Sequence, residues 1–193
     1  MNIKKLLISI VAGLMAMSAL SACNAQNSHE KMSKDSKTLV ACFSATGTTM
    51  EAATKLAKVA NADLHEIVPE APYTAADLDW HDTLSRSSVE MADKSSRPAI
   101  ANKVKNMEQY DTVFVGYPIW WYIAPTIINT FLEQYDLTGK TIIPFFTSGG
   151  SGAGETMKYL KPSAPGANWV EPKNLTRMEE NEIKIWVDSL LVK

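Results

Sequence analysis

Short, nearly continuous apolar runs alternate along this chain with segments in which apolar residues recur at helical spacing. The apolar runs predict five strands, at residues 38–43, 62–68, 112–116, 141–146 and 167–170. The helical spacing predicts helices at 50–60, 98–107, 125–135, 154–160 and 179–192. Strands without polar alternation are typical of a parallel sheet that is covered by helices on both faces. The pattern therefore predicts an α/β fold, a doubly wound three-layer sandwich with its ligand site beyond the carboxyl ends of the strands.

Residues 69–97 form a longer stretch than the connection after the second predicted strand requires. Positions 77–93 predict one helix, and we expect its large apolar side chains to be buried: Trp80, Leu84 and Met91. Two interpretations remain open. The stretch is a surface excursion packed on the edge strand, or a flap that brings Tyr73, Trp80 or Arg86 towards a substrate.

The first 37 residues differ in character from the rest of the chain. Residues 1–23 carry Lys4 and Lys5 near their start, continue with an apolar stretch that is short for a membrane span, and end in Leu-Ser-Ala-Cys. This segment resembles the signal peptide of bacterial lipoproteins, which implies cleavage before Cys23, a lipid on its thiol and attachment to a membrane of the cell envelope. A plain secretory peptide and an uncleaved anchor are the alternatives. Residues 24–37 are polar and predict a flexible tether, so the folded domain is expected at 38–193.

Charge, cysteine and histidine content narrow the function classes. The formal net charge is −2, so the chain lacks the excess of positive charge that is typical of proteins that bind nucleic acid. Cys42 lies in an apolar run and is expected to be a buried core residue, and with Cys23 carrying lipid no intramolecular disulfide is possible. The three histidines share no metal-ligand spacing. We therefore assign no metal ligand and no catalytic side chain.

The first predicted strand ends in a loop of small and hydroxyl residues that leads into a helix. Gly47 permits a close backbone approach or a positive φ, and the helix start offers free N–H groups and its positive dipole end. Because the loop contains no Lys or Arg, it favours a phosphate monoester that stays bound. The predicted phosphate-binding residues are Ser44, Thr46, Gly47, Thr48 and Thr49. An ordinary polar turn with a Thr cap is the alternative.

Two further loops follow the third and fourth strands and should lie beside the first loop. One carries three aromatic residues between two prolines, and aromatic residues are unusual in a loop unless they contact a ligand. The other is built of small residues whose backbone can lie flat against a ring. The predicted ring-binding residues are Pro118, Ile119, Trp120, Trp121, Tyr122, Thr147, Ser148, Gly149 and Gly150. We expect Trp121 or Tyr122 to lie nearer the ring, the alternative being that the tryptophans only plug a hydrophobic edge.

The motif Ser-x-Thr-Gly-x-Thr at residues 44–49 resembles the phosphate loop of the flavodoxins, which hold the 5′-phosphate of FMN. The motif Pro-x-x-Trp-Tyr-x-x-Pro at 118–125 resembles the flavin loop of NAD(P)H:quinone reductases of the same fold. The resemblance covers residues 38–192. It implies FMN as cofactor and a flavodoxin-like sandwich with a five-stranded parallel sheet in the order 2-1-3-4-5. Loops for nucleoside triphosphates and for dinucleotides are excluded, since their Gly-Lys-[Ser/Thr] and G-x-G-x-x-G patterns are absent.

Three functions are compatible with these features. The favoured one is an FMN-binding redox protein that transfers electrons through bound flavin at the cell envelope, to a redox partner protein or a small quinone-like acceptor. An FMN-dependent NAD(P)H:quinone-type reductase is the first alternative, and a cofactor-free ligand-binding lipoprotein is an alternative of another class. Flavodoxins often carry a glycine whose peptide flips towards the flavin. Because no glycine lies between Tyr117 and Pro125, two-electron cycling is favoured.

Overall fold

The computed structural model describes residues 37–190, which form a parallel sheet between two layers of helices. The predicted signal peptide, the tether to residue 36 and the lipid site at Cys23 lie outside the described residues. The strands are β1 (Thr38–Cys42), β2 (Asp63–Glu66), β3 (Thr112–Pro118), β4 (Thr141–Thr147), β5 (Asn168–Trp169) and β6 (Lys173–Asn174). The helices are α1 (Thr48–Ala60), α2 (Arg86–Ala92), α3 (Ile127–Glu133), α4 (Thr156–Leu160) and α5 (Glu180–Leu190). Between residues 37 and 190, no helix combines the length and the apolar character that crossing a membrane requires.

The strand order is β2-β1-β3-β4-β5 with parallel neighbours, which confirms the predicted order. Cys42 at the end of β1 pairs with Gly116 of β3, and Pro118 at the end of β3 pairs with Thr147 of β4. This register brings the ends of β1, β3 and β4 to one edge of the sheet. The loops that follow these three strands therefore leave the sheet side by side.

The outer edge next to β4 consists of two short strands rather than one. β5 pairs with Thr141 and Ile142, and β6 pairs with Phe145 and Phe146. The predicted fifth strand is thus present but only two residues long, and β6 was not predicted. Because β6 continues the same edge, it carries the chain towards the end of β4, where the ligand site is expected.

The centre of the sheet is its most deeply buried part. All residues of β1 and β4 are buried, as are all residues of β3 except Pro118. One face of the sheet packs against Phe131 and its neighbours on α3, and the other against Leu56 of α1 and Ile183 of α5. Burial of both faces explains why the strands have no polar alternation in the sequence.

The predicted helix at 98–107 is wrong, because this segment runs along the end of β2. Ile100 forms an antiparallel bridge with Pro69. The side chain of Asn102 donates a hydrogen bond to the Glu66 carbonyl (2.7 Å) and accepts one from the Val68 amide (3.1 Å). These contacts satisfy backbone groups at the edge of the sheet. The segment gains more free energy from these hydrogen bonds than its weak helix propensity would provide.

The predicted helix at 77–93 is present only as the seven-residue α2. Met91 is buried as expected, but the expectation is wrong for Trp80 and Leu84, which are 67% and 83% exposed. Before α2 the chain forms turns in which aspartate side chains accept hydrogen bonds from nearby backbone amides, namely Asp77 from Thr74, Asp79 from His81 and Asp82 from Leu84. Such local bonds compete with helix formation, so the helix starts only at Arg86, after the Ser85 cap.

Candidate cofactor site

A cavity of about 720 Å³ opens where β1, β3 and β4 end. Its wall includes parts of all three loops that the sequence singled out. Every predicted site residue lies on this wall except Gly47 and Gly150. The volume lies within the range that proteins use for small-molecule ligands.

The loop after β1 leaves the start of α1 without a side-chain cap. Gly47 is the N-cap residue, with a left-handed φ of 90°, and it has no side chain that could accept from the helix. The first intrahelical bond joins the Glu51 amide to the Gly47 carbonyl (2.9 Å). The amides at the very start of α1 therefore remain available to an anionic ligand, which would also be favoured by the helix dipole.

The hydroxyl groups of this loop differ in their surroundings. Ser44 Oγ is buried and has no hydrogen-bond partner in the described part of the chain. Thr46 and Thr48 are exposed at the cavity. The Thr49 hydroxyl lies 2.8 Å from the Thr147 hydroxyl at the end of β4, so it already has a protein partner. Ser44, Thr46 and Thr48 are therefore the side chains that a ligand can engage without breaking an existing contact.

The aromatic loop after β3 contains a tight turn at Trp121 and Tyr122. Trp120 and Ile123 exchange backbone hydrogen bonds of 2.9 and 3.1 Å, and φ is 46° at Trp121 and 65° at Tyr122. This is the pattern of a type I′ turn, which normally requires residues such as Asn-Gly. The turn places both aromatic side chains on the cavity wall, with Tyr122 72% exposed. The backbone is therefore left-handed at Trp121 and Tyr122 although no glycine lies between Tyr117 and Pro125.

Trp120 has a different environment from the two residues that follow it. Its ring packs edge-to-face on Phe43 and Tyr73, with centroid distances of 5.6 and 5.4 Å. Trp120 therefore fastens the turn to the core, while Trp121 and Tyr122 face the open cavity.

The small-residue loop after β4 touches the aromatic turn. At Gly154, where φ is +52°, a Cβ atom would lie 2.1 Å from the Tyr122 carbonyl oxygen. The Ala124 amide also donates to Thr156 Oγ1 (3.1 Å) at the start of α4. Only glycine permits this approach, and it fixes the distance between the two loops.

Sequence reasoning missed several residues of the wall. Leu78 and Ser87 come from the 69–97 segment, which also contributes the flap candidate Trp80, and Thr176 and Arg177 come from the connection between β6 and α5. The length of the 69–97 segment was a usable signal. On this wall, Ser87 Oγ is a second buried hydroxyl, after that of Ser44, without a partner among the described residues. For Arg177 the sequence offered no signal, because it lies far from every motif.

The proposed flap residues Tyr73 and Arg86 are engaged with each other and are absent from the cavity wall. The Arg86 guanidinium lies 4.0 Å from the centroid of the Tyr73 ring and pairs with Glu90 (2.7 Å). Burial, followed by the hydrogen bond to Glu90, raises the pKa of the Tyr73 hydroxyl above its usual value. Tyr73 also packs edge-to-face on the buried Phe43, with ring centroids 5.7 Å apart, and so holds the segment against the core. Trp80 is the only one of the three flap candidates that lines the cavity.

Among the described residues, the wall of the site contains no cysteine thiol and no cluster of metal-binding side chains. Cys42 is buried, as predicted, and burial raises the pKa of its thiol, which keeps it protonated and unreactive. Residues 37–190 contain no cluster of side chains suited to a metal ion. The site instead offers free amides and hydroxyls in one part and aromatic rings in another, which fits a phosphate ester that carries a flat ring.

Comparisons with known proteins agree with this geometry. The flavodoxin family model matches residues 37–190. A protein of known structure from Bacteroides eggerthii DSM 20697, provisionally described as a flavoprotein, is 54% identical over 82% of this chain and 100% of that chain, with a TM-score of 0.78. A second such protein, from Bacteroides uniformis ATCC 8492, is 50% identical over 79% and 98% of the two chains, with a TM-score of 0.76.

A more distant structure is that of a flavoprotein from Lactobacillus acidophilus NCFM in complex with FMN. It is 24% identical over 78% of this chain and 98% of that chain, with a TM-score of 0.63, and at this identity it supports the fold. No curated protein sequence matches the chain. Since the family model covers all of the described residues and two solved relatives are at least 50% identical, this chain belongs to the flavodoxin family.

Proposed function

We propose that this protein binds FMN in the cavity beyond β1, β3 and β4 and transfers electrons through the bound flavin. The observation that carries the proposal is the composition of the wall, where the uncapped start of α1 and the unpaired Ser44 hydroxyl share one cavity with Trp121 and Tyr122. Amides and hydroxyls suit a phosphate, and aromatic rings suit a flat ring system. The FMN complex of the Lactobacillus acidophilus flavoprotein, which shares the fold, favours FMN over other phosphate esters.

Each part of the wall has a distinct task in this proposal. Ser44, Thr46, Thr48 and the first amides of α1 hold the phosphate, and Trp121, Tyr122 and the backbone at Ser148 and Gly149 frame the ring. FMN supplies the redox chemistry, while the protein binds and orients it and limits water at the ring. The packing of Trp120 on Phe43 keeps the aromatic turn in place and thereby reduces the ordering needed on binding.

A reductase that uses a small flat acceptor is the second candidate. The observation in its favour is the apolar wall formed by Leu78 and Trp80, which extends the cavity beyond the three loops. Trp80 is 67% exposed and lies against the His81 ring, with centroids 3.5 Å apart, which leaves the other face of its indole for stacking with a quinone-like molecule. In the favoured proposal the acceptor is a redox partner protein or a small quinone-like molecule, and NADH or NADPH is not a substrate.

Kinetics on the purified full chain separate these functions. We expect the protein to take up FMN and, once photoreduced anaerobically with EDTA as electron donor, to pass electrons to a naphthoquinone without catalytic turnover of NADH or NADPH. Sustained oxidation of NADH or NADPH with the quinone would favour the reductase. Failure to take up FMN would contradict both and favour the cofactor-free binding protein.

The proposed location is the bacterial cell envelope, through a lipid on Cys23. The support is the sequence pattern around Cys23, together with the direction in which the chain enters the fold. β1 begins at Thr38, at the end of the sheet opposite to the cavity. An anchor that precedes residue 37 would therefore leave the mouth of the cavity open to a partner or substrate.

A further inference from the structure

Among residues 37–190, Arg177 is the only charged side chain on the wall of the cavity. The remainder of the wall consists of apolar, aromatic, glycine and hydroxyl-bearing residues. The phosphate loop itself contains no basic residue, so any positive charge for a bound anion must come from another part of the chain. Within the described wall, Arg177 is the side chain that can provide it.

The backbone around Arg177 is held firmly. The Leu175 amide donates to the Phe146 carbonyl at the end of β4 (2.9 Å), and the Ser148 amide donates to Thr176 Oγ1 (2.9 Å). Arg177 has a left-handed φ of 58°, which residues other than glycine rarely adopt. Such backbone outliers cluster at functional sites, where surrounding contacts keep them in place.

The neighbours of Arg177 connect it to the side of the cavity that holds the phosphate loop. Lys55 of α1 donates to the Met178 carbonyl (3.5 Å) and pairs with Glu179 (3.6 Å). The Thr147 hydroxyl, one residue before Ser148, lies 2.8 Å from that of Thr49 in the loop. Arg177 therefore belongs to a segment that is fastened both to α1 and to the end of β4.

The guanidinium of Arg177 is also unusual in having no protein partner within residues 37–190. The other two arginines of the chain pair with carboxylates, Arg86 with Glu90 and Arg97 with Glu133, each at 2.7–2.8 Å. A planar guanidinium with unused donors matches the geometry of a phosphate group.

We propose that Arg177 supplies the positive charge that pairs with the phosphate of the cofactor and thereby makes the pocket prefer FMN to riboflavin. The inference rests on the proposed function, because it takes FMN as the ligand. It assigns the preference for the phosphorylated form to a residue outside the phosphate loop. The ring and the ribityl chain, which FMN and riboflavin share, are held by other residues.

The test compares FMN and riboflavin on the same apoproteins by flavin-fluorescence titration. We expect Arg177→Gln to weaken FMN binding about ten- to hundredfold, since a hydrogen bond to a charged group is lost, and to leave riboflavin binding unchanged. Arg177→Lys should weaken FMN binding less than Arg177→Gln does, because it keeps the positive charge but loses the paired N–H donors of the planar guanidinium. Added NaCl should weaken FMN binding more in the wild type than in Arg177→Gln.

A matched control is Lys105→Gln, which removes the same charge from an exposed site before the opposite end of β3. It should alter neither affinity, and thermal melts establish that all variants are folded. Equal losses for FMN and riboflavin in Arg177→Gln, or no loss for either, would overturn the proposal. A wild-type protein that binds neither flavin would instead refute the proposed function, and with it this assignment.

Discussion

The Ser44 hydroxyl lacks a hydrogen-bond partner in the described part of the folded chain. It is buried at the cavity, and an unpaired buried hydroxyl costs about 1–3 kcal/mol. A bound phosphate would accept from this hydroxyl. We therefore predict that Ser44→Ala leaves the unfolding free energy of the apoprotein unchanged or raises it by up to about 1 kcal/mol, while FMN binding weakens by about 1.5–3 kcal/mol.

Urea unfolding and fluorescence titration measure the two effects separately. Thr49→Ala serves as the comparison, because its hydroxyl already bonds to Thr147 and its removal leaves that partner unpaired. Thr49→Ala should thus lower the apoprotein stability by about 1 kcal/mol or more. A Ser44→Ala variant that loses stability and binds FMN normally would show that Ser44 is structural.

The left-handed turn at Tyr122 leads to a second prediction at the residue scale. Tyr122 is mostly exposed and has a φ of 65°, a conformation that asparagine tolerates and β-branched residues strongly resist. We expect Tyr122→Asn to be more stable than Tyr122→Val by about 1–2 kcal/mol in chemical unfolding. Equal stability of the two variants would mean that the turn is not held in this conformation.

At the level of single residues, the sequence was informative where a motif is local. The hydroxyls around Gly47 were predictable because they lie in one short strand-to-helix loop. The left-handed conformation of Trp121 and Tyr122 was not predictable, since turns of this type are usually recognised by the sequence Asn-Gly, which is absent here. It results from contacts with Trp120 and Gly154 that are formed only in the folded chain.

Among the elements, the contact between the loops after β3 and β4 carries the clearest prediction. Gly154→Ala would bring a Cβ against the Tyr122 carbonyl and would also strain the positive φ at residue 154. We expect the two loops to separate, with a loss of about 1–3 kcal/mol in stability and weaker FMN binding. Gly152→Ala is the matched control, because a Cβ there meets open space. If both variants behave alike in thermal melts and titrations, the close approach has no role.

The two errors in helix prediction have different causes, one tertiary and one local. Helical periodicity at 98–107 gave way to the hydrogen bonds that Asn102 makes at the end of β2. The helix predicted at 77–93 was shortened by aspartate side chains that cap turns. Conversely, the central strands were predictable because burial on both faces leaves a continuous apolar run.

In the molecule as a whole, the cavity and the start of β1 lie at opposite ends of the sheet. The carboxyl ends of the parallel strands lie towards the cavity, and the chain enters the sheet at the opposite end, where β1 begins. If Cys23 carries the lipid, Cys23→Ser should move the protein from the membrane fraction to the soluble fraction and leave its affinity for FMN unchanged. A variant that stays in the membrane fraction would argue for an uncleaved anchor or for another attachment.

The central claim is that the cavity beyond β1, β3 and β4 holds FMN, and the identity of the chromophore tests it most directly. The full chain is purified without added flavin, its visible spectrum is recorded, and the ligand released on denaturation is identified by chromatography and mass spectrometry. We predict a yellow protein that releases FMN, or a colourless apoprotein that regains one FMN per chain when FMN is supplied. A colourless protein that takes up no FMN under these conditions would contradict the account.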